Sequence, residues 1–106
     1  MHLNEYQERA NHTAIYDSKY KLIYPTLGLA GEAGEVADKV KKIYRDNLNI
    51  NNEAESIAKE LGDVLWYVAA VARDVGYRLE DIAKLNINKL ESRQKRGVIG
   101  GNGDDR

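Results

Sequence analysis

The 106-residue chain contains no cysteine and no phenylalanine, and one each of proline, methionine and tryptophan. Without cysteine, disulfide scaffolds, Cys-based zinc sites and thiol nucleophiles are all excluded, and the composition suits a reducing compartment. Without phenylalanine, a core must be filled by Leu, Ile, Val, Ala and some of the seven tyrosines. Such a core is small, and a chain of this size buries less than ~70% of its unfolded surface, so burial between subunits is the expected supplement. No stretch approaches the ~18 apolar residues of a membrane span, and the N-terminus lacks the apolar segment of a signal peptide. A soluble, untargeted, cytoplasmic protein with no membrane partner is expected.

Net charge is also nearly missing, because 16 basic residues offset 17 acidic ones. The distribution says more than the sum. Lys84, Lys89, Arg93, Lys95 and Arg96 face only Glu91 over residues 84–96, whereas Glu53, Glu55, Glu60 and Asp63 face only Lys59 over residues 53–63. One acidic and one basic patch suit a metal and an anion better than nucleic acid, which favours a broad basic face.

What is present is helical periodicity, and the fold class expected is all-α, with four to five helices per protomer in an oligomeric helical bundle. A first helix is expected from Asn4, capped by its own side chain with Gln7 reaching back, to about Ile15. After an irregular Tyr-rich stretch, Pro25 pre-sets a second helix over Thr26–Tyr44. The Asn-rich segment 45–52 turns the chain, Asn52 and Glu55 form a second capping box, and a third helix runs over Glu53–Val75 to a stop at Gly76. A fourth spans Leu79–Lys95. Residues 1–96 then form one domain, and the glycine-rich residues 97–106 a flexible tail.

Each helical residue advances ~100°, which places Glu32 and Glu35 roughly 90° and 145° from the apolar stripe of the second helix. Glu60 and Asp63 fall at nearly the same offsets on the third. If the two helices pack antiparallel through the Asn-rich turn, four carboxylates converge beside the core. Four like charges repel unless a cation or protons intervene, and an all-oxygen donor set suits the hard cations Mg²⁺ and Mn²⁺. The plainer alternative is a solvated helix face with i, i+4 pairs such as Glu35 with Lys39 and Asp38 with Lys42. Gly28, Gly31, Gly34 and Gly62 interleave with the acids, each at a cost of about 0.8–1 kcal/mol relative to Ala inside a helix, so close approach of a ligand or a neighbouring helix is expected there. On the fourth helix Asn86, Lys89 and Arg93 share one flank and could grip phosphate oxygens. Trp66 points away from its own stripe, which suggests a subunit contact, or base stacking as the alternative.

The segments Gly-Leu-Ala-Gly-Glu-Ala-Gly-Glu-Val-Ala-Asp-Lys-Val-Lys-Lys (28–42), Lys-Glu-Leu-Gly-Asp-Val-Leu-Trp-Tyr (59–67) and Asn-Ile-Asn-Lys-Leu-Glu-Ser-Arg (86–93) resemble the MazG-like, all-α nucleoside triphosphate pyrophosphohydrolases. The tail 96–106 resembles that of small and phage-type members. The family's metal motif is Glu-Glu-x-x-Glu followed by Glu-x-x-Asp. Here Gly31 stands at its first position, and Glu32, Glu35, Glu60 and Asp63 match the rest. The resemblance implies Mg²⁺-dependent hydrolysis of a (d)NTP to the monophosphate and pyrophosphate, for house-cleaning or nucleotide-pool control, in a homodimer or homotetramer. Glu32 or Glu35 would be the base, and Tyr67, Lys39 and Lys42 would join Asn86, Lys89 and Arg93 on the substrate. A silent metal-holding assembly or regulatory nucleotide binder is the competing expectation.

Overall fold

The computed structural model describes residues 1–106. It is all-helical: α1 (Leu3–Asn11), a single 3-10 turn (Ser18–Tyr20), α2 (Ile23–Arg45), α3 (Ile50–Asp74) and α4 (Leu79–Lys95). The long helices α2 and α3 pack along each other, α1 lies against α3, and α4 leaves the end of α3 at a turn containing Gly76, whose φ is +87°. That left-handed conformation is the one in which glycine carries no Cβ penalty.

The caps differ from those read in the sequence. Asn4 and Gln7 do not cap α1. Gln7, buried inside the protomer, accepts a hydrogen bond from the Leu79 backbone N–H at 3.0 Å and donates to the carbonyls of Ala69 (3.2 Å) and Tyr77 (3.0 Å). Asn4 Oδ1 accepts from the Glu80 N–H at 3.0 Å. Two side chains of α1 thus satisfy two N–H groups at the start of α4, whose own N-cap residue, Arg78, offers no side-chain acceptor. Unpaired N–H groups in a helix's first turn need such partners, and here they come from a different helix. The α1 helix ends at Asn11 rather than Ile15, as the Thr13 hydroxyl donates back to the Ala10 carbonyl at 2.6 Å and competes with the helical ladder.

Helix α2 begins three residues before the expected start, with Pro25 in its first turn, where a missing N–H costs nothing. Its N-cap, Leu22, has φ of +66°, an unfavourable conformation for a branched side chain. Asp74, the last residue of α3, holds it there by accepting from both the Leu22 N–H and the Tyr16 hydroxyl at 2.9 Å each. Burial and that carboxylate push the Tyr16 pKa up to about 12. Helix α3 is capped by Asn49, which accepts from the Asn51 N–H at 2.9 Å, and not by Asn52.

The core is thin. Ala69, Ala72 and Leu79 form its buried centre, with Tyr6, Val68 and Ile82 packed around them. Only seven residues are buried, and the radius of gyration is 16.6 Å. A compact chain of this length would have about 13 Å.

Residues 97–106 fold back on themselves and on the end of α4. Gly97 (φ +71°) ends α4, and the chain folds back so that the Arg106 guanidinium donates to the carbonyls of Val98 (3.1 Å), Ile99 (3.0 Å), Gly100 (3.2 Å) and Gly103. Arg96 binds the Arg106 carbonyl in turn, at 2.7 Å. One planar, multiply donating side chain thus gathers a glycine-rich loop that has few contacts of its own.

Candidate metal centre

The packing of α2 on α3 brings together three of the four carboxylates singled out in the sequence. Glu32 from α2, and Glu60 and Asp63 one turn apart on α3, each present an oxygen such that all three lie within 4.8 Å of one another. Glu32 and Glu60 are half-buried and Asp63 is exposed. Glu35 lies outside this group, although its charge is felt at Glu32. The Glu32 carboxyl is raised above its ordinary pKa, first by desolvation, then by a hydrogen bond to Glu60 open to its protonated form, then by the charges of Asp63, Glu60 and Glu35. The cluster is therefore electrostatically unsatisfied as it stands.

Lys39 lies at its edge, 3.7 Å from Glu60 Oε1, with its ammonium donating to the Ser56 hydroxyl at 2.6 Å. Ser56 went unremarked in the sequence, though its place four residues before Glu60 put it on the same helix edge. Lys42 turns instead to Asp38, 2.8 Å away. Together with Lys41 it holds the Asp38 carboxyl down at about 2.

Beside the carboxylates is an open cavity of about 310 Å³ lined by Glu32, Asp63, Trp66 and Tyr67. Tyr67 reaches it by crossing directly over Gly28, where an added Cβ would collide with the phenol ring. Burial, then the neighbouring Tyr24, then Glu32 and Asp63 raise the Tyr67 pKa, and its phenol is available as a hydrogen-bond donor. Gly28 is thus explained by close approach. Gly31, Gly34 and Gly62 face open space within the protomer, with no atom near an added Cβ.

The basic flank of α4 is arranged differently. Lys89 donates to Asp104 Oδ1 at 2.6 Å, and Arg93 donates to the same oxygen at 3.2 Å and to the Asp104 carbonyl. Both cations are thus engaged by the folded C-terminal segment. Asn86 is exposed on the same helix, and none of the three lines the acidic cavity.

Residues 24–98 match the model of the MazG nucleotide pyrophosphohydrolase domain. The chain belongs to the MazG family. The match spans nearly all of α2 through α4, including Glu32, Glu60 and Asp63, while α1, which caps α4 through Asn4 and Gln7, precedes it. The MazG-family chain is also 47% identical over 114 aligned residues to the Gene 37 protein of Mycobacterium phage L5, with all of both chains covered. No solved structure matches it significantly. Its donor set, three carboxylates with no nitrogen or sulfur ligand among them, suits a hard divalent cation.

Proposed function

We propose that this MazG-family protein hydrolyses nucleoside triphosphates, (d)NTP plus water giving (d)NMP plus pyrophosphate, at the cluster of Glu32, Glu60 and Asp63. The observation that carries the reading is the unsatisfied three-carboxylate cluster opening onto a cavity walled by two aromatic rings. The residues fit Mg²⁺, and Mn²⁺ by the same hard-donor logic, with Glu32, Glu60 and Asp63 as the ligands. A bound divalent cation supplies charge neutralisation on the phosphates. Glu35, outside the three-carboxylate group yet close enough to influence Glu32, is left to orient and deprotonate the attacking water. Lys39 holds Glu60 in place against Ser56, and the protonated Tyr67 hydroxyl donates into the cavity toward phosphate or sugar oxygens.

The protein works as a homo-oligomer in this reading, either a dimer or a tetramer, in the cytoplasm where its substrates are. Val40, Leu61, Leu65, Leu85, Ile87 and Leu90 are all more than a third exposed, apolar side chains that contact with another copy would cover. The thin core and expanded radius fit helices that complete their burial against another copy. No helix is long and apolar enough to cross a membrane.

The deciding experiment incubates the protein with a panel of canonical and modified (d)NTPs and Mg²⁺, following monophosphate and pyrophosphate. Turnover that disappears in Glu60→Gln and Asp63→Asn is the expected result. Nucleotide binding without turnover, or turnover indifferent to both substitutions, would instead favour a regulatory binder.

A further inference from the structure

Trp66 divides two spaces. On one side it borders a nearly filled crevice of about 10 Å³ with Ala10, Ala14 and Ala69, where α1 crosses α3. On the other it lines the acidic cavity with Glu32, Asp63 and Tyr67. Its ring meets Tyr67 edge-on, with centroids 5.0 Å apart and planes at 82°. The indole N–H donates to the Thr13 hydroxyl at 2.7 Å, so its single polar atom is used and its orientation is tied to the end of α1. A tryptophan pointing away from its own helix stripe is thereby accounted for within the protomer, without a subunit contact.

We propose that the Trp66 indole is the platform on which the nucleobase of the substrate stacks, with Thr13 as the residue that positions it. The inference rests on the nucleotide-hydrolase reading above and adds what that reading leaves open, the mode of base selection. The cavity places a fixed aromatic ring next to carboxylates suited to a phosphate-bound cation, and its volume is at the small end for ligand sites. Every base has a π face, so a stacking platform is tolerant of base identity. Edge-on reading of a base would need polar groups free of other duties, whereas the indole N–H is bound to Thr13, the Tyr67 hydroxyl is assigned to phosphate or sugar oxygens, the two carboxylates are assigned to the cation, and none of the four lining residues is an Asn or Gln. The expected selectivity is therefore broad and ordered by ring area, with purine above pyrimidine nucleotides.

The chain has a single tryptophan, so its fluorescence reports this ring alone. In the full-length protein with Mg²⁺, a non-hydrolysable α,β-methylene purine triphosphate should quench the emission, whereas inorganic tripolyphosphate, which lacks a base, should not. Trp66→Leu should raise KM for nucleotides on the order of tenfold, more than it lowers kcat, and leave inhibition by tripolyphosphate unchanged. Trp66→Phe should restore much of the affinity, which keeps the test informative if the leucine variant folds poorly. Thr13→Val should raise KM less than Trp66→Leu and weaken the quench. An emission unchanged by the analogue, or a Trp66→Leu enzyme with wild-type KM that elutes later from gel filtration, at a lower apparent mass than wild type, would overturn the platform in favour of an interface role. Those outcomes leave wild-type turnover intact. Wild-type protein that hydrolyses no nucleotide would instead remove the underlying reading, and the platform with it.

Discussion

Two charged regions of this molecule are built on opposite principles. At the α2–α3 seam three carboxylates crowd within 4.8 Å, with Lys39 at the edge of one of them, and the Glu32 carboxyl responds by holding its proton more tightly. On α4 Lys89 and Arg93 share the Asp104 carboxylate, whose pKa is lowered first by the Lys89 hydrogen bond and then by that of Arg93. Folding pairs the charges of the second set, leaving only the buried Arg93 Nε–H without a partner, and frustrates the first. Charges that the fold satisfies hold structure together, whereas charges left in conflict are arranged for something that arrives later.

The sharpest break of that comparison would come from neutralising one acid. Asp63→Asn should lower turnover by more than the ~10–100-fold typical of losing a supporting residue around a metal, because a ligand itself is removed. The same change relieves repulsion, so the metal-free protein should melt no lower than wild type. Arg93→Ala should show the reverse profile. Its side chain is 7% exposed and grips the chain at Asp104, so its loss should cost about 1–2 kcal/mol, lowering Tm by several degrees for a chain this size. Thermal melts alongside turnover assays for both variants separate the two profiles.

The sequence made the grouping of the acidic region legible but not the partners of the basic one, for a physical reason. Glu60 and Asp63 share a helix, and Glu32 sits at a matching offset on its neighbour, so helical periodicity alone aligns them. Glu35, one turn further along α2, lies outside that group of three. The bounds of α4 were readable for the same reason. The partners of Lys89 and Arg93 were not, since Asp104 reaches them through a glycine-rich loop whose path is set by Arg106 binding backbone carbonyls. Asn4 and Gln7 were misread as a local capping box because nothing in their spacing shows that the N–H groups they serve belong to Leu79 and Glu80. Local periodicity could be read off the chain, but contacts set by tertiary folding, from 11 to 76 residues apart, could not.

The pH response should differ between the regions in sign. A carboxyl whose folded pKa is raised binds more protons folded than unfolded, so Glu32 withdraws stability as pH rises from the unfolded value near 4.5 through its folded pKa. The lowered carboxyls act oppositely. Asp104 and Asp38 contribute stability above their unfolded pKa of 3.8, and it is lost as pH falls toward their folded values, about 2 for Asp38. Metal-free melting temperatures across this range should therefore fall away at both ends. Mg²⁺ should recover only the high-pH side, since it replaces the proton at the acidic cluster and has no counterpart at Asp104. Equal recovery at acid pH would mean that the cation acts outside the carboxylate cluster.

The smallest effect tests whether the basic pair, whose Arg93 Nε–H is buried without a partner, serves only to fasten the chain. Asp104→Asn keeps a side chain of the same size but removes the charge that Lys89 and Arg93 share. Asp104 is largely exposed, so the loss of stability should be slight, and it should vanish in high salt because the ion pair is already screened there. KM for nucleotide should hardly change if Lys89 and Arg93 serve only to fasten residues 97–106 to α4. A lower KM would mean that freeing the two cations creates an anion site, with Asp104 standing where a phosphate can bind, and the division between a structural basic region and a functional acidic one would then fail. Measuring KM and Tm on the same preparation at low and high salt separates these outcomes, because fastening is read in Tm and phosphate binding in KM.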